Sequence, residues 1–172
     1  MAEIERVRER ERPPIAENPY ESIIRQRKEL AERNRTGPVV VRSEDREWFQ
    51  TRQGKLKYYL DPVTFKETPL QHWRVFIHDI RTRSGKHRHQ GGLVIYVLEG
   101  KGYSVVDGER KDWEKGDLVL LPMKPDGVEH QHFNLNPPEQ PAIWAAFINI
   151  PIQEYLASDL QQAENSPDFK EG

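Results

Sequence analysis

The chain has 172 residues, room for one domain with a sizeable core and too few for two ordinary ones. Its formal net charge of −2 gives no field to attract nucleic acid or an anionic membrane, and no apolar run approaches the roughly 20 residues of a spanning helix. It has no cysteine, hence no disulfide, thiolate ligand or cysteine nucleophile. It opens on no secretory pattern, so a soluble, cytoplasmic protein is expected.

Residues 1–17 alternate charge sign around Pro13-Pro14 and read as a flexible charged arm. A helix is predicted over 18–35, with Asn18 as N-cap, Pro19 at the first helical position and Glu21 completing a capping box. Tyr20, Ile23, Ile24, Leu30 and Ala31 fall on one side of it, interrupted by Arg27. Its expected role is a strut covering apolar surface of the domain that follows.

That domain is predicted over 38–150, where short apolar segments alternate with turn residues. Val39–Val41, Leu56–Leu60, Trp73–Ile80, Leu93–Leu98, Gly102–Val106, Leu118–Leu121, Glu129–Leu135 and Ile143–Ile150 read as strands. Many short strands with no helix between them imply an all-β, antiparallel sandwich or barrel. Asp107-Gly108 is a hairpin signal, since its turn needs positive φ. A closing helix is expected over 151–163, with Ile152, Tyr155, Leu156 and Leu160 on one face, followed by a polar tail over 164–172 that should fray.

All six histidines lie between residues 72 and 132. In a strand, residues i and i+2 share a face, so His87 and His89 point together, as do His130 and His132. Two such strands paired inside a barrel can gather three imidazoles around one metal ion. Imidazole suits Zn, Fe, Ni and Cu, so the ligand type does not choose the metal. His72 and His78 share a strand face with Phe76 and Ile80 and read as hydrogen-bonded structural histidines.

These motifs resemble those of the cupin superfamily over roughly residues 72–150. The first cupin motif, Gly-x5-His-x-His-x3–4-Glu-x6-Gly, is met by His87-x-His89 and Gly100. The second, Gly-x5-Pro-x-Gly-x2-His-x3-Asn, is met in two halves: Gly116-x5-Pro122, and Pro125-x-Gly127-x2-His130-x3-Asn134. The halves overlap if about three residues, Met123 to Pro125, are inserted. The resemblance implies a double-sheet jelly-roll barrel with flanking helices, and one divalent metal held by His87, His89 and His130. The sequence departs from the pattern at two places: Arg81 stands where the leading glycine falls, and Leu93 where the metal-binding glutamate falls.

A three-histidine site is similar to that of gentisate 1,2-dioxygenases, and His87-Arg88-His89-Gln90-Gly91-Gly92-Leu93 resembles their histidine motif. The resemblance implies an Fe(II)-dependent dioxygenase of a small anionic aromatic compound, with Fe(II) favoured over Zn, Ni, Mn or Cu. His132 is the candidate catalytic acid or base, with a structural role as its alternative. A non-redox isomerase or lyase, using His132, His78 or Tyr58 to move protons, is the second reading. A non-catalytic ligand-binding cup is the third, because fold alone does not choose. Arg81, Arg83 and Lys86 form either a solvated loop or an attraction for an anionic substrate. Leu93, Ile95 and Val97 are expected inward, with Val94, Tyr96 and Leu98 apolar on the other face. A strand apolar on both faces needs cover on both, from the N-terminal helix or from a second copy in a homodimer.

Overall fold

The computed structural model describes residues 18–170. Two antiparallel sheets face each other across the core. The six-stranded sheet runs in the order β1 (Trp48–Thr51), β2 (Gly54–Leu60), β3 (Trp73–Ile80), β10 (Ala142–Asn149), β5 (Leu93–Glu99), β8 (Leu118–Leu121). The five-stranded sheet runs β11 (Gln161–Glu164), β4 (Lys86–His89), β9 (Val128–Asn134), β6 (Lys101–Val106), β7 (Glu109–Glu114). This is the antiparallel jelly-roll barrel that the strand rhythm and the motifs predict.

Period-two alternation places the core between the sheets. On β5, Leu93, Ile95 and Val97 are buried while Val94 and Tyr96 are exposed. Trp144, Ala146 and Ile148 of β10 meet them, with Ile80, Leu121, Val128 and Trp113. Asp107 and Gly108 close the β6–β7 hairpin with φ of 48° and 84°, the two positive values that a type I′ turn needs.

The structure departs from the predicted elements at both ends. Val39–Val41 is no strand; Val39 and Val40 are exposed, and no strand among the described residues pairs with them. The strand in that region is β1, which forms a hairpin with β2. Helix α1 (Pro19–Thr36) is capped as its sequence implies, with Asn18 Oδ1 accepting the Tyr20 N–H at 2.9 Å. It buries no residue, however, and Tyr20, Ile23 and Leu30 face out, so α1 does not cover the barrel. Its apolar stripe is narrow and broken by charge, which leaves little area to drive docking.

The helix expected over 151–163 is the short α2 (Ile150–Tyr155), ended by Ala157 at a φ of 47°. The chain then turns into β11, which pairs with β4 along Arg88, His87 and Lys86. The fraying expected from 164 is not seen around Ser166, and residues 171–172 of that tail lie outside the described residues. Ser166 is buried, donates its N–H to Arg52 O at 2.8 Å and its hydroxyl to Arg83 O at 3.2 Å. Helical spacing of apolar residues misled here because the free edge of β4 offers ladder hydrogen bonds that local periodicity does not register. Among the described residues no helix is long and apolar enough to cross a membrane.

Candidate metal centre

Strands β4 and β9 pair with His87 directly opposite His130. Their rings lie 4.1 Å apart, and the ring of His89 lies 4.8 Å from that of His130 and 5.4 Å from that of His87. The ligating atoms of the three all fall within 4.8 Å of one another, and among the described residues no Asp or Glu joins the group. His89 and His130 are buried and His87 is largely so.

Hydrogen bonds decide which ring nitrogens are available. His130 Nδ1 lies 3.1 Å from the Val128 carbonyl. A carbonyl only accepts, so Nδ1 carries the proton and Nε2 the lone pair a metal needs. His87 Nδ1 is buried without a hydrogen-bond partner among the described residues. His89 Nδ1 accepts the Gly91 N–H at 2.9 Å. A neutral imidazole has one such lone pair, so ligation through either nitrogen of His89 displaces this contact.

Burial keeps the cluster neutral. Desolvation, with the neighbouring His89, pushes His87 down to about 4 against the opposing pull of the Gly85 backbone. His89 and His130 are also lowered, chiefly by burial. Neutral imidazoles are the metal-binding form, so this donor set fits a divalent ion near neutral pH.

The three histidines open onto a cavity of about 240 Å³ between the sheets. Leu93 lines it, in the place where the cupin pattern has glutamate, and no Asp or Glu lines it among the described residues. Leu56, Phe76, Trp144, Ile148 and Leu160 add apolar wall, and Gln53, Tyr58, Arg74, Gln153 and Ser158 add polar wall.

His132 is fully enclosed and also faces this cavity. Trp113 Nε1 donates to Ser104 Oγ at 2.9 Å, and Ser104 Oγ lies 2.7 Å from His132 Nδ1. Indole can only donate, so the remaining serine proton goes to Nδ1, its one acceptor among the described residues. The ring proton of His132 then sits on Nε2. His132 is held neutral by burial and by the other histidines around it.

His78 lines the cavity from β3 with its ring 4.8 Å from that of Trp144. Burial, then the proximity of His87, pushes it down to about 3. His72 does not share its face: it is exposed and precedes the strand. Asn134 holds a turn, donating to the Arg81 and Gln140 carbonyls and accepting from Asn136 N–H. Arg81, Arg83 and Lys86 are paired with Asp79, Glu164 and Glu129, and none lines the cavity. The cationic side chain that does is Arg74 on β3, which the sequence reading missed. Its signal was available: Arg74, Phe76 and His78 alternate along one strand face.

Residues 76–148 match the cupin domain family. A gentisate 1,2-dioxygenase from Ralstonia sp is 34% identical over 71 residues, 41% of this chain and 19% of that enzyme. The chain thus spans less than a fifth of that relative. Among solved structures, the Streptomyces nucleoside dehydratase Pac13 superposes with a TM-score of 0.53 at 12% identity, over 76% of this chain and 95% of that one. A salicylate 1,2-dioxygenase from Pseudoaminobacter salicylatoxidans, in complex with gentisate, gives 0.51 at 19% identity, over 89% and 39%. At such identities these two structures speak for the fold alone. Sheet topology, histidine cluster and family match agree: residues 76–148 form a cupin domain, related over part of its length to gentisate dioxygenases.

Proposed function

We propose that His87, His89 and His130 ligate one divalent metal, Fe(II) by preference, and that the protein is a dioxygenase of a small anionic aromatic compound. The observation that carries this reading is the donor set: three neutral imidazoles with Leu93 beside them and, among the described residues, no carboxylate at the cavity wall. An iron so held keeps its positive charge and open positions for a chelating substrate and for oxygen. The protein's own share is to bind and orient. Phe76, Trp144 and Leu93 offer apolar surface to a ring and limit water, and the Nε2–H of His132 is a fixed donor for a substrate oxygen. The similarity to a gentisate dioxygenase supports this direction. The test is oxygen uptake by iron-reconstituted protein with gentisate-, salicylate- and catechol-type compounds. Uptake above that of free iron, lost in His130→Ala, is expected; its absence across the panel overturns the dioxygenase reading.

One observation favours a second reading. Two further buried histidines, His78 and His132, line the cavity with Tyr58, whose hydroxyl burial keeps protonated. A metal acting as Lewis acid beside proton-moving side chains suits an isomerase or lyase. Purification with a metal other than iron, and turnover without oxygen, decides for it.

A further inference from the structure

The wall that faces the histidines carries a second polar cluster. Arg74 stands in the inward row of β3, ahead of Phe76 and His78. Its Nε donates to Asp61 Oδ1 at 2.9 Å, and the other oxygen of Asp61 accepts from Thr64 N–H at 3.0 Å and Thr64 Oγ1–H at 2.8 Å. Asp61 is buried and wholly engaged, so it works as a clamp on the guanidinium. The clamp uses one of the five N–H donors of Arg74. The terminal amino groups make no hydrogen bond among the described residues, and neither do the Tyr58 hydroxyl and the side chains of Gln153 and Ser158 in the same cavity.

A guanidinium fixed through Nε presents a planar fork that matches a carboxylate, and the Arg74 side chain is partly exposed, at 34%. Arg81, Arg83 and Lys86 do not compete for the role, being paired on the outside. The cavity volume of about 240 Å³ lies below the roughly 300–1,000 Å³ typical of drug-sized ligands, which limits the occupant to about one ring.

We propose that Arg74, held by Asp61 and flanked by Tyr58, Gln153 and Ser158, is the carboxylate-binding subsite of this cavity, and that the natural ligand is a one-ring organic acid. This rests on reading the cavity as a substrate site and does not depend on the redox chemistry. The acid group lies against the six-stranded sheet while the ring's other substituents face the histidines of the opposite sheet. Arg74 is then a specificity-determining residue that selects acids over neutral rings.

The experiment is calorimetric titration of Zn(II)-loaded protein with salicylate and benzoate, using benzamide as the neutral isostere; no turnover is needed. Wild-type protein is expected to favour the acids over benzamide by at least tenfold. Arg74→Gln should lose that preference without weakening benzamide, and Arg74→Lys should keep part of it. Because Arg74→Gln strands buried Asp61, the double variant Arg74→Gln/Asp61→Asn is measured beside it, with folding checked by circular dichroism. The preference should persist in metal-free His130→Ala, which separates Arg74 from the ion as its source. Equal binding of acid and amide by wild type, or an acid preference that survives in the folded double variant, overturns the proposal. Arg74-dependent acid binding without oxygen uptake overturns the dioxygenase reading alone.

Discussion

His87 and His130 stand opposite each other across the β4–β9 ladder, their rings 4.1 Å apart and inclined at 64°. Directly opposed positions share a sheet face, so this register sends both imidazoles into the barrel, and the i, i+2 relation adds His89. Substitution of any one of the three by Ala should strip most of a bound metal and leave the barrel folded. Metal content by plasma mass spectrometry, with circular dichroism as the fold check, tests this; full occupancy in all three variants refutes ligation.

Leu93 offers the converse experiment. It is 5% exposed and lines the cavity beside the triad, so Leu93→Glu introduces the carboxylate that the cupin pattern has and this chain lacks. Without metal, the uncompensated buried charge should cost roughly 3–5 kcal/mol. A bound ion should restore that stability and bind at least tenfold tighter, which corresponds to about 1.4 kcal/mol. Thermal melts with and without metal, and competition against a chelator, give both numbers. A variant indifferent to metal would show that Leu93 does not adjoin the ion.

The strands that build the cavity were legible because alternation of apolar residues and the His-x-His spacing are local signals, and the inward row Leu93, Ile95 and Val97 is buried as its period requires. What was not legible depends on partners distant in sequence. Nothing near Gln161 announces that it pairs with Arg88, and nothing near Arg74 announces that Asp61 holds it. Histidine roles divided the same way: His87 and His89 follow from spacing, whereas His78 enters the cavity through the pairing of β3 with β10, which sets it opposite Trp144.

The metal-free protein should lose stability in acid. An ordinary histidine titrates near 6.5, and folding lowers His78 to about 3 and His87 to about 4. Above 6.5 both states are neutral and nothing is gained or lost. Below 6.5 the unfolded chain takes up protons that the folded chain refuses, so stability falls with pH down to the folded values. The slope is about 1.4 kcal/mol per pH unit for each histidine kept neutral. Urea melts between pH 7 and pH 4 measure it, and His78→Gln should flatten the curve. An unchanged midpoint over that range would contradict the assignment.

The outer face of the six-stranded sheet is apolar where three strands meet. Phe147 stands opposite Val94, Val94 opposite Leu120, and Tyr96 opposite Leu118, all of them exposed. Contiguous apolar surface of this kind marks an interaction site, and α1 does not cover it. A homodimer through this face is expected in light scattering, and Tyr96→Glu should give a folded monomer. A wild-type monomer at working concentration rules the dimer out.

Ser104 lies outside every sequence motif, yet it links Trp113 to His132. Its hydroxyl oxygen accepts a hydrogen bond from the Trp113 indole N–H and its O–H is left to donate to His132 Nδ1, and all three groups are buried. Ser104→Ala leaves both the indole N–H and Nδ1 unpartnered, which should cost roughly 1–3 kcal/mol for each group stranded. The same change frees His132 to place its proton on either nitrogen. If the Nε2–H of His132 steadies a substrate oxygen, Ser104→Ala should lower kcat with little change in the binding of the metal. His132→Gln, which keeps an N–H donor, should then retain more activity than His132→Ala. Nitrogen-15 chemical shifts of the His132 ring report the tautomer directly. A ring protonated on Nδ1 in the wild-type protein would remove the donor and return His132 to a structural role.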